Sequence, residues 1–242
     1  MRLPFTCLEC TFGENKLTVP PYPTFVELRD DGRYEFTCFQ GHKTVTILQQ
    51  QKFELLFEIG AYALIDGYYR ESVASFTAAL ERFHEYCLKV LCKKRGINPD
   101  AFSTAWKQIS NQSERQLGAF LFIWTSEFGA VPQLLSSHDS GFRNSVIHKG
   151  KIPTKEEALK YGNTVLALIR PKIVELRSVC DEQIVEVTFE HIRDCSNLGE
   201  KQLACGTMSM PTIISLTTQD TLTSLEEHLH HLKWWRDRWH NN

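Results

Sequence analysis

Arg143, Asn144 and His148 lie within six residues of one another in the stretch GFRNSVIHKGKIPT, residues 141–154, and Lys149 and Lys151 follow at once. A guanidinium holds a phosphate through two parallel charge-assisted hydrogen bonds and does not lose its proton. An imidazole gives or takes a proton near neutrality. Asn144 precedes His148 by four residues, so on a helix the two side chains face the same way, and Asn144 can orient the ring or a phosphate oxygen. Lys149 and Lys151 add positive charge where a phosphodiester would lie. The stretch reads either as one half of a site that handles a phosphate or as a basic helix end, where the helix dipole favours cations in any case.

A second group of chemistry-bearing residues opens the chain. Cys7 and Cys10 form C-x2-C, and Cys38 and His42 follow as CFQGH. Two short knuckles separated by a hairpin bring four soft donors together tetrahedrally, as Zn2+ requires. Four protein ligands close the coordination sphere, so the ion would be structural, and its binding would supply folding free energy to a segment with little apolar content. The expectation is a zinc ribbon used for docking or stability, with Cys7, Cys10, Cys38 and His42 as ligands. Cys87, Cys92, Cys180, Cys195 and Cys205 have no ligand spacing and read as ordinary thiols.

The elements that must position these residues fall into three stretches. Residues 1–46 carry TFVELRDDGRYEFTC, which predicts a hairpin across an Asp31-Gly32 turn, with Tyr34, Phe36 and Cys38 on one face of the returning strand. From residue 49 the apolar spacing becomes helical. One helix stops at Asp66-Gly67, and a second runs to Lys93-Lys94-Arg95 before Gly96. Asn98-Pro99 starts a short helix through Ile109. Ser113 with Gln116 predicts a capping box for SERQLGAFLFIWTSEF. The Arg143–His148 stretch sits on a short helix, and Thr154 with Glu157 caps a helix of about 25 residues that Pro171 is expected to kink. QIVEVTFEHI (183–192) and MPTIISLTT (210–218) read as strands. The tail reads as an amphipathic helix with Leu222, Leu225, Leu229, Leu232, Trp235 and Trp239 on one stripe. The division is 1–46, 49–180 and 181–242.

Composition narrows the function classes. Net charge is −2 over 242 residues, so nothing global draws the chain to nucleic acid or an anionic membrane, and any such contact comes from a local patch. The N-terminus has no apolar run of the secretory type, and the greasiest stretch, LGAFLFIWT, is too short to span a bilayer. Eight cysteines in that setting point to a reducing compartment, and the expectation is a cytoplasmic protein with no membrane partner.

With Arg143, Asn144 and His148 followed by a capped long helix, and DGYYRESVASFTAALERFHEY upstream, residues 49–180 resemble a HEPN domain. That family's signature is R-x4-6-H, often with a polar residue after the Arg. The resemblance implies an up-and-down helical bundle, here preceded by the zinc ribbon and followed by a small α/β extension. It further implies a metal-independent endoribonuclease in which Arg143 binds the phosphate, His148 transfers protons and Asn144 assists. One imidazole per chain serves one proton transfer where cleavage by the 2′-OH needs two. A homodimer that sets two Arg/His sets face to face across a two-fold axis meets that need. The expected products are a 2′,3′-cyclic phosphate and a 5′-OH. The resemblance also suggests a toxin or anti-phage defence effector held in check by an inhibitory or sensing partner. Glu81, on the second helix, faces either the site or solvent. The alternative is a non-catalytic, zinc-stabilised binding or adaptor module.

Overall fold

The structure, a computed structural model, describes residues 1–13, 22–197, 205–217 and 223–240, without the side chains of 238–240. The chain is mainly helical and divides into two compact units. One comprises Met1–Gln50 with Glu186–Met210, the other Gln51–Val185 with Pro211–Asn242. Residues after 180 are thus shared between the two.

The first unit holds two small sheets. Strand β1 (Arg2–Phe5) pairs antiparallel with β2 (Thr24–Glu27). Strand β3 (Arg33–Thr37) pairs antiparallel with β4 (Lys43–Leu48), and β5 (Cys205–Met208) adds to β4 in parallel. Both predicted strands around Asp31-Gly32 exist, but they do not pair with each other. The segment between them is held by side chains instead of a ladder. Asp31 accepts from the Arg29 guanidinium at 2.6 Å and from the Arg33 backbone at 3.2 Å, while the Tyr34 hydroxyl donates to the Arg29 carbonyl. This turns β3 away from β2, and the hairpin that forms is β3–β4, closed by the CFQGH knuckle. Tyr34 is fully buried against Phe5, with ring centroids 4.5 Å apart. The buried Gln50 amide donates to Ser209 and to the Met210 carbonyl and accepts from the Met210 N–H, which ties residues 209–210 to the end of β4.

The helices of the second unit begin and end close to where the sequence places them. They are α2 (Lys52–Ile65), α3 (Tyr69–Lys94), α4 (Pro99–Ile109), α5 (Ser113–Phe128) and α6 (Ser137–Lys149). The short α1 (Leu8–Phe12) belongs to the first unit. Asn98 caps α4 by accepting from Asp100 and Ala101. The capping box of Ser113 and Gln116 does not form. Gln116 is buried and donates instead to the carbonyls of Ile109 and Ser110, so it finishes α4 rather than starting α5.

The box of Thr154 and Glu157 does form, and it starts α7 (Lys155–Ser196). This helix is longer than expected because 183–192 is helical, not a strand. Its β-branched residues hide a helical period, with Ile184, Val187 and Cys195 buried and His191 donating to the Leu48 carbonyl at 2.9 Å. The backbone leaves helical geometry at Cys180 (φ −135°, ψ 24°) and not at Pro171.

Nor is 210–217 a strand; residue 218 lies outside the described residues. The last helix, α8 (Leu225–His240), buries Leu225 and His228 and half-buries Leu229, Leu232 and Arg236, while Trp235 stays half-exposed. The inward stripe is therefore rotated from the predicted one toward His228 and Arg236. Leu222 and the Trp239 side chain lie outside the description.

Phe76 is the centre of this core. A Cβ on Gly60 of α2 would sit 2.6 Å from its ring, and one on Gly162 of α7 would sit 2.7 Å from it and 2.5 Å from Leu225. Two helix backbones therefore close on one aromatic ring from either side. Gly60→Val is expected to overpack this point and lower the stability of the second unit by about 1–3 kcal/mol. Chemical denaturation followed by helical circular dichroism would register the loss as a lower midpoint.

Candidate functional site

The cysteines and histidine of the first unit converge. Cys7 stands at the entrance of α1 and Cys10 inside it, so one helical turn presents both thiols. The Thr11 hydroxyl and N–H both donate to the Cys7 carbonyl, at 2.7 and 3.1 Å, and fix that turn. On the other side the Cys38 N–H donates to His42 and the Gly41 N–H to Cys38, a tight bend that puts Gly41 at φ +85°. Only glycine takes that conformation without strain.

The four donor atoms all lie within 4.8 Å of one another, and all three cysteines are buried. Cys10 Sγ is 3.8 Å from Cys38 Sγ and 3.3 Å from His42 Nδ1, and Cys7 Sγ is 3.8 Å from the same nitrogen. A tetrahedral site with metal–sulfur bonds of about 2.3 Å has edges of about 3.8 Å, so the spacing fits a small ion at the centre. Burial, with the Cys7 and Cys38 thiols beside it, pushes the Cys10 thiol up to about 12. Burial acts the same way on Cys38, but hydrogen bonds from the His42 and Gln40 backbone and from the other two thiols leave it lowered overall. Crowded buried thiols with opposed shifts are what a bound cation would relieve. The cluster is compatible with a metal site.

In the second unit, α6 carries the other candidate residues. Ser136 caps its start by accepting from the Asp139 N–H, and Gly150 ends it at φ +73°. Val146 is its one fully buried residue. Asn144 and His148 are exposed on the same side, whereas Arg143 is half-buried. Five residues of helix separate Arg143 from His148 by about 140° around the axis, so within one chain the guanidinium and the imidazole do not share a face.

Arg143 Nε is fully buried and has no hydrogen-bond partner. Neighbouring charges are near Tyr161, whose phenol burial pushes up to about 12; Arg143 opposes that rise, and Glu81 and Asp139 add to it. Glu81 is half-buried and lies within electrostatic reach of Tyr161. Tyr161 bonds Thr77 at 2.9 Å, and its ring meets Phe142 at 5.7 Å. Lys149 is exposed. Lys151 is already engaged, paired with Glu157 at 2.6 Å and standing 4.9 Å over the Phe142 ring.

Sequence reasoning passed over Tyr161 and the buried ionisable groups of the same unit. Glu54 and Glu58 of α2 are 3% exposed, and burial pushes both carboxyls up to about 7. His84, stacked on Phe120 at 4.4 Å, is lowered to about 3 by burial and by the charge of the buried Lys172. The available signal was two glutamates four apart inside the apolar run FELLFEIGAY. Among the described residues no helix is long and apolar enough to cross a membrane. No protein-family model, curated protein or solved structure matches the chain.

Proposed function

We propose that this chain is a metal-independent endoribonuclease that works as a homodimer, with one α6 from each copy supplying half of a composite site. The Cys7/Cys10/Cys38/His42 cluster would hold a structural zinc ion. The observation that carries the reading is the unpaired state of the α6 end. Among the described residues, the side chains of Arg143, Asn144, His148 and Lys149 make no hydrogen bond or ion pair within the chain, and the buried Arg143 Nε has no acceptor. A buried guanidinium nitrogen without a partner costs stability, and an incoming phosphate oxygen would satisfy it. The Arg143–His148 spacing and the likeness to HEPN domains support the same reading.

In the proposed reaction one His148 takes the proton of the ribose 2′-OH. The 2′-oxygen attacks phosphorus, and the partner's His148 gives a proton to the departing 5′-oxygen. Arg143 holds the phosphorane charge. The angular separation of Arg143 and His148 within one helix is a reason for two helices to contribute. A defence or toxin role, with a partner that restrains the activity, would follow from the same likeness.

The test is incubation of the purified protein with single-stranded RNA in excess EDTA, with retention of zinc verified afterwards. The expected result is cleavage that leaves 2′,3′-cyclic phosphate and 5′-OH ends. Absence of cleavage across an RNA pool, with or without candidate triggers, removes the nuclease and leaves a zinc-stabilised adaptor. One observation favours that second reading: Phe12 and Phe39, beside the metal ligands in sequence, are 78% and 62% exposed.

A further inference from the structure

Residues 211–217 have no regular secondary structure, yet they bury Thr212, Ile213, Ile214 and Leu216. Such a segment must satisfy its backbone without a ladder. It does so through α2. The Ile213 N–H donates to Glu58 Oε2 at 3.1 Å, and the Leu216 N–H donates to Glu54 Oε1 at 3.0 Å. The other oxygen of Glu54 accepts from the Gln51 N–H at 2.7 Å. On the opposite side, Arg170 of α7 donates to the Ile213 carbonyl at 3.0 Å and to His228 Nε2 of α8 at 2.5 Å. Further along, the Leu225 N–H donates to Asn163, and Arg236 pairs with Asp66. The segment and α8 are thus fastened together to the helices of the second unit.

The unusual part of this fastening is its charge. Glu54 and Glu58 stand one turn apart on the same helix, both buried, and among the described residues neither is paired with a cation. Two like charges at that spacing repel, and each loses its hydration. The titratable and charged groups around them are few. Tyr86 of α3 lies within electrostatic reach of Glu54, and Tyr62 of α2 within reach of Glu58, Arg236 and Asp66. Arg170 and His228 lie on the carbonyl side of Ile213.

We propose that residues 211–217 form a pH-gated strap, held on α2 by two neutral carboxyls and loosened when those carboxyls ionise. A neutral carboxyl still accepts a backbone N–H through its carbonyl oxygen, and on Glu54 the second N–H meets the weaker hydroxyl acceptor, whereas an ionised carboxyl must stay buried without a counter-ion. The sign follows from burial raising both groups from 4.5 to about 7. A carboxyl raised in the docked state stabilises that state fully below its undocked value, and the stabilisation is lost as pH rises through the docked one.

Hydrogen exchange at the Ile213 and Leu216 amides, corrected for the intrinsic pH dependence of exchange, tests the strap. Between pH 6 and pH 9 the opening constant of the wild type is expected to rise about tenfold per carboxylate. In Glu54→Gln/Glu58→Gln each neutral amide oxygen can still accept the N–H of Leu216 or Ile213, while the Gln51 N–H loses its acceptor, and the rise with pH should vanish. Each single Gln variant should remove about half of the logarithmic dependence, which keeps the test usable if the double variant folds poorly. Protection that is flat with pH in the wild type overturns the strap, as does a rise that persists undiminished in the Gln variants. None of these readouts involves RNA cleavage.

Discussion

Cys10→Ser is expected to abolish metal binding and to unfold the first unit while the second keeps its own transition. Cys10 is the most central of the four donors, 1% exposed and within 3.8 Å of both Cys38 Sγ and His42 Nδ1. Its replacement removes one of four ligands from a closed site and puts a hard hydroxyl among soft donors. Structural zinc supplies about 10–16 kcal/mol of apparent folding free energy in small modules, comparable to or larger than the 5–15 kcal/mol that a whole domain retains. The first unit does have some core of its own, chiefly Phe5, Tyr34, Val45, Ile47 and Leu48. That core sits on the sheets, whereas α1 and the CFQGH bend gain their mutual contact through the ligands themselves. Elemental analysis should find about one zinc per chain in the wild type and none in the variant. Calorimetry should show one of two transitions lost. Cys205→Ser is the control, since Cys205 is exposed and outside the cluster, and it should change neither reading. Zinc retained at full occupancy in Cys10→Ser would refute the assignment of that ligand.

How far the sequence carried depends on where the deciding information sat. The helices of the second unit were legible because their ends are written locally. Gly67, Gly96, Gly129 and Gly150 all take positive φ just past a helix, and Asn98 caps α4. The Cys7/Cys10/Cys38/His42 cluster was legible for a similar reason, since each of its two knuckles is written within a few residues. Non-local partners were not legible. Strand β5 pairs with β4 across about 160 residues, and no local pattern names that partner. Gln116 sits where a capping box belongs, but a nearer pair of orphan carbonyls at the end of α4 claims its amide. The run 210–218 reads as a strand because it is rich in β-branched residues, and the glutamate side chains that stand in for its ladder lie more than 150 residues earlier. The break of α7 falls at Cys180 instead of Pro171, the residue that usually marks a kink, and no local signal in the sequence points to it. For α6 the spacing is visible in the sequence, but the unpaired Nε and the neighbouring Tyr161 arise from packing between α6 and α7.

Arg143→Ala and His148→Ala are each expected to cut RNA cleavage by about 10^2- to 10^4-fold, the usual worth of a lost proton-transfer group or a lost charge-stabilising donor. Their effects on stability should differ from those of ordinary core substitutions. Arg143 keeps a buried Nε without a partner, so its removal relieves an unmet donor and is expected to leave the melting midpoint unchanged or higher. His148 is exposed at the end of α6, and its loss should be neutral for folding. Activity that collapses while stability holds is the mark of a residue retained for function. Arg143→Lys separates charge from geometry. An ammonium keeps the positive charge but not the two-pronged donor, so partial activity with weaker substrate binding is expected. Two imidazoles acting in turn as base and acid predict a bell-shaped dependence of kcat/KM on pH for the wild type. Cleavage should also depend on protein concentration below the dimer dissociation constant, because a single α6 sets its guanidinium and imidazole about 140° apart. Cleavage by a monomer at undiminished rate would exclude the two-helix site, and a parallel fall of stability and activity in Arg143→Ala would return that residue to a purely structural role.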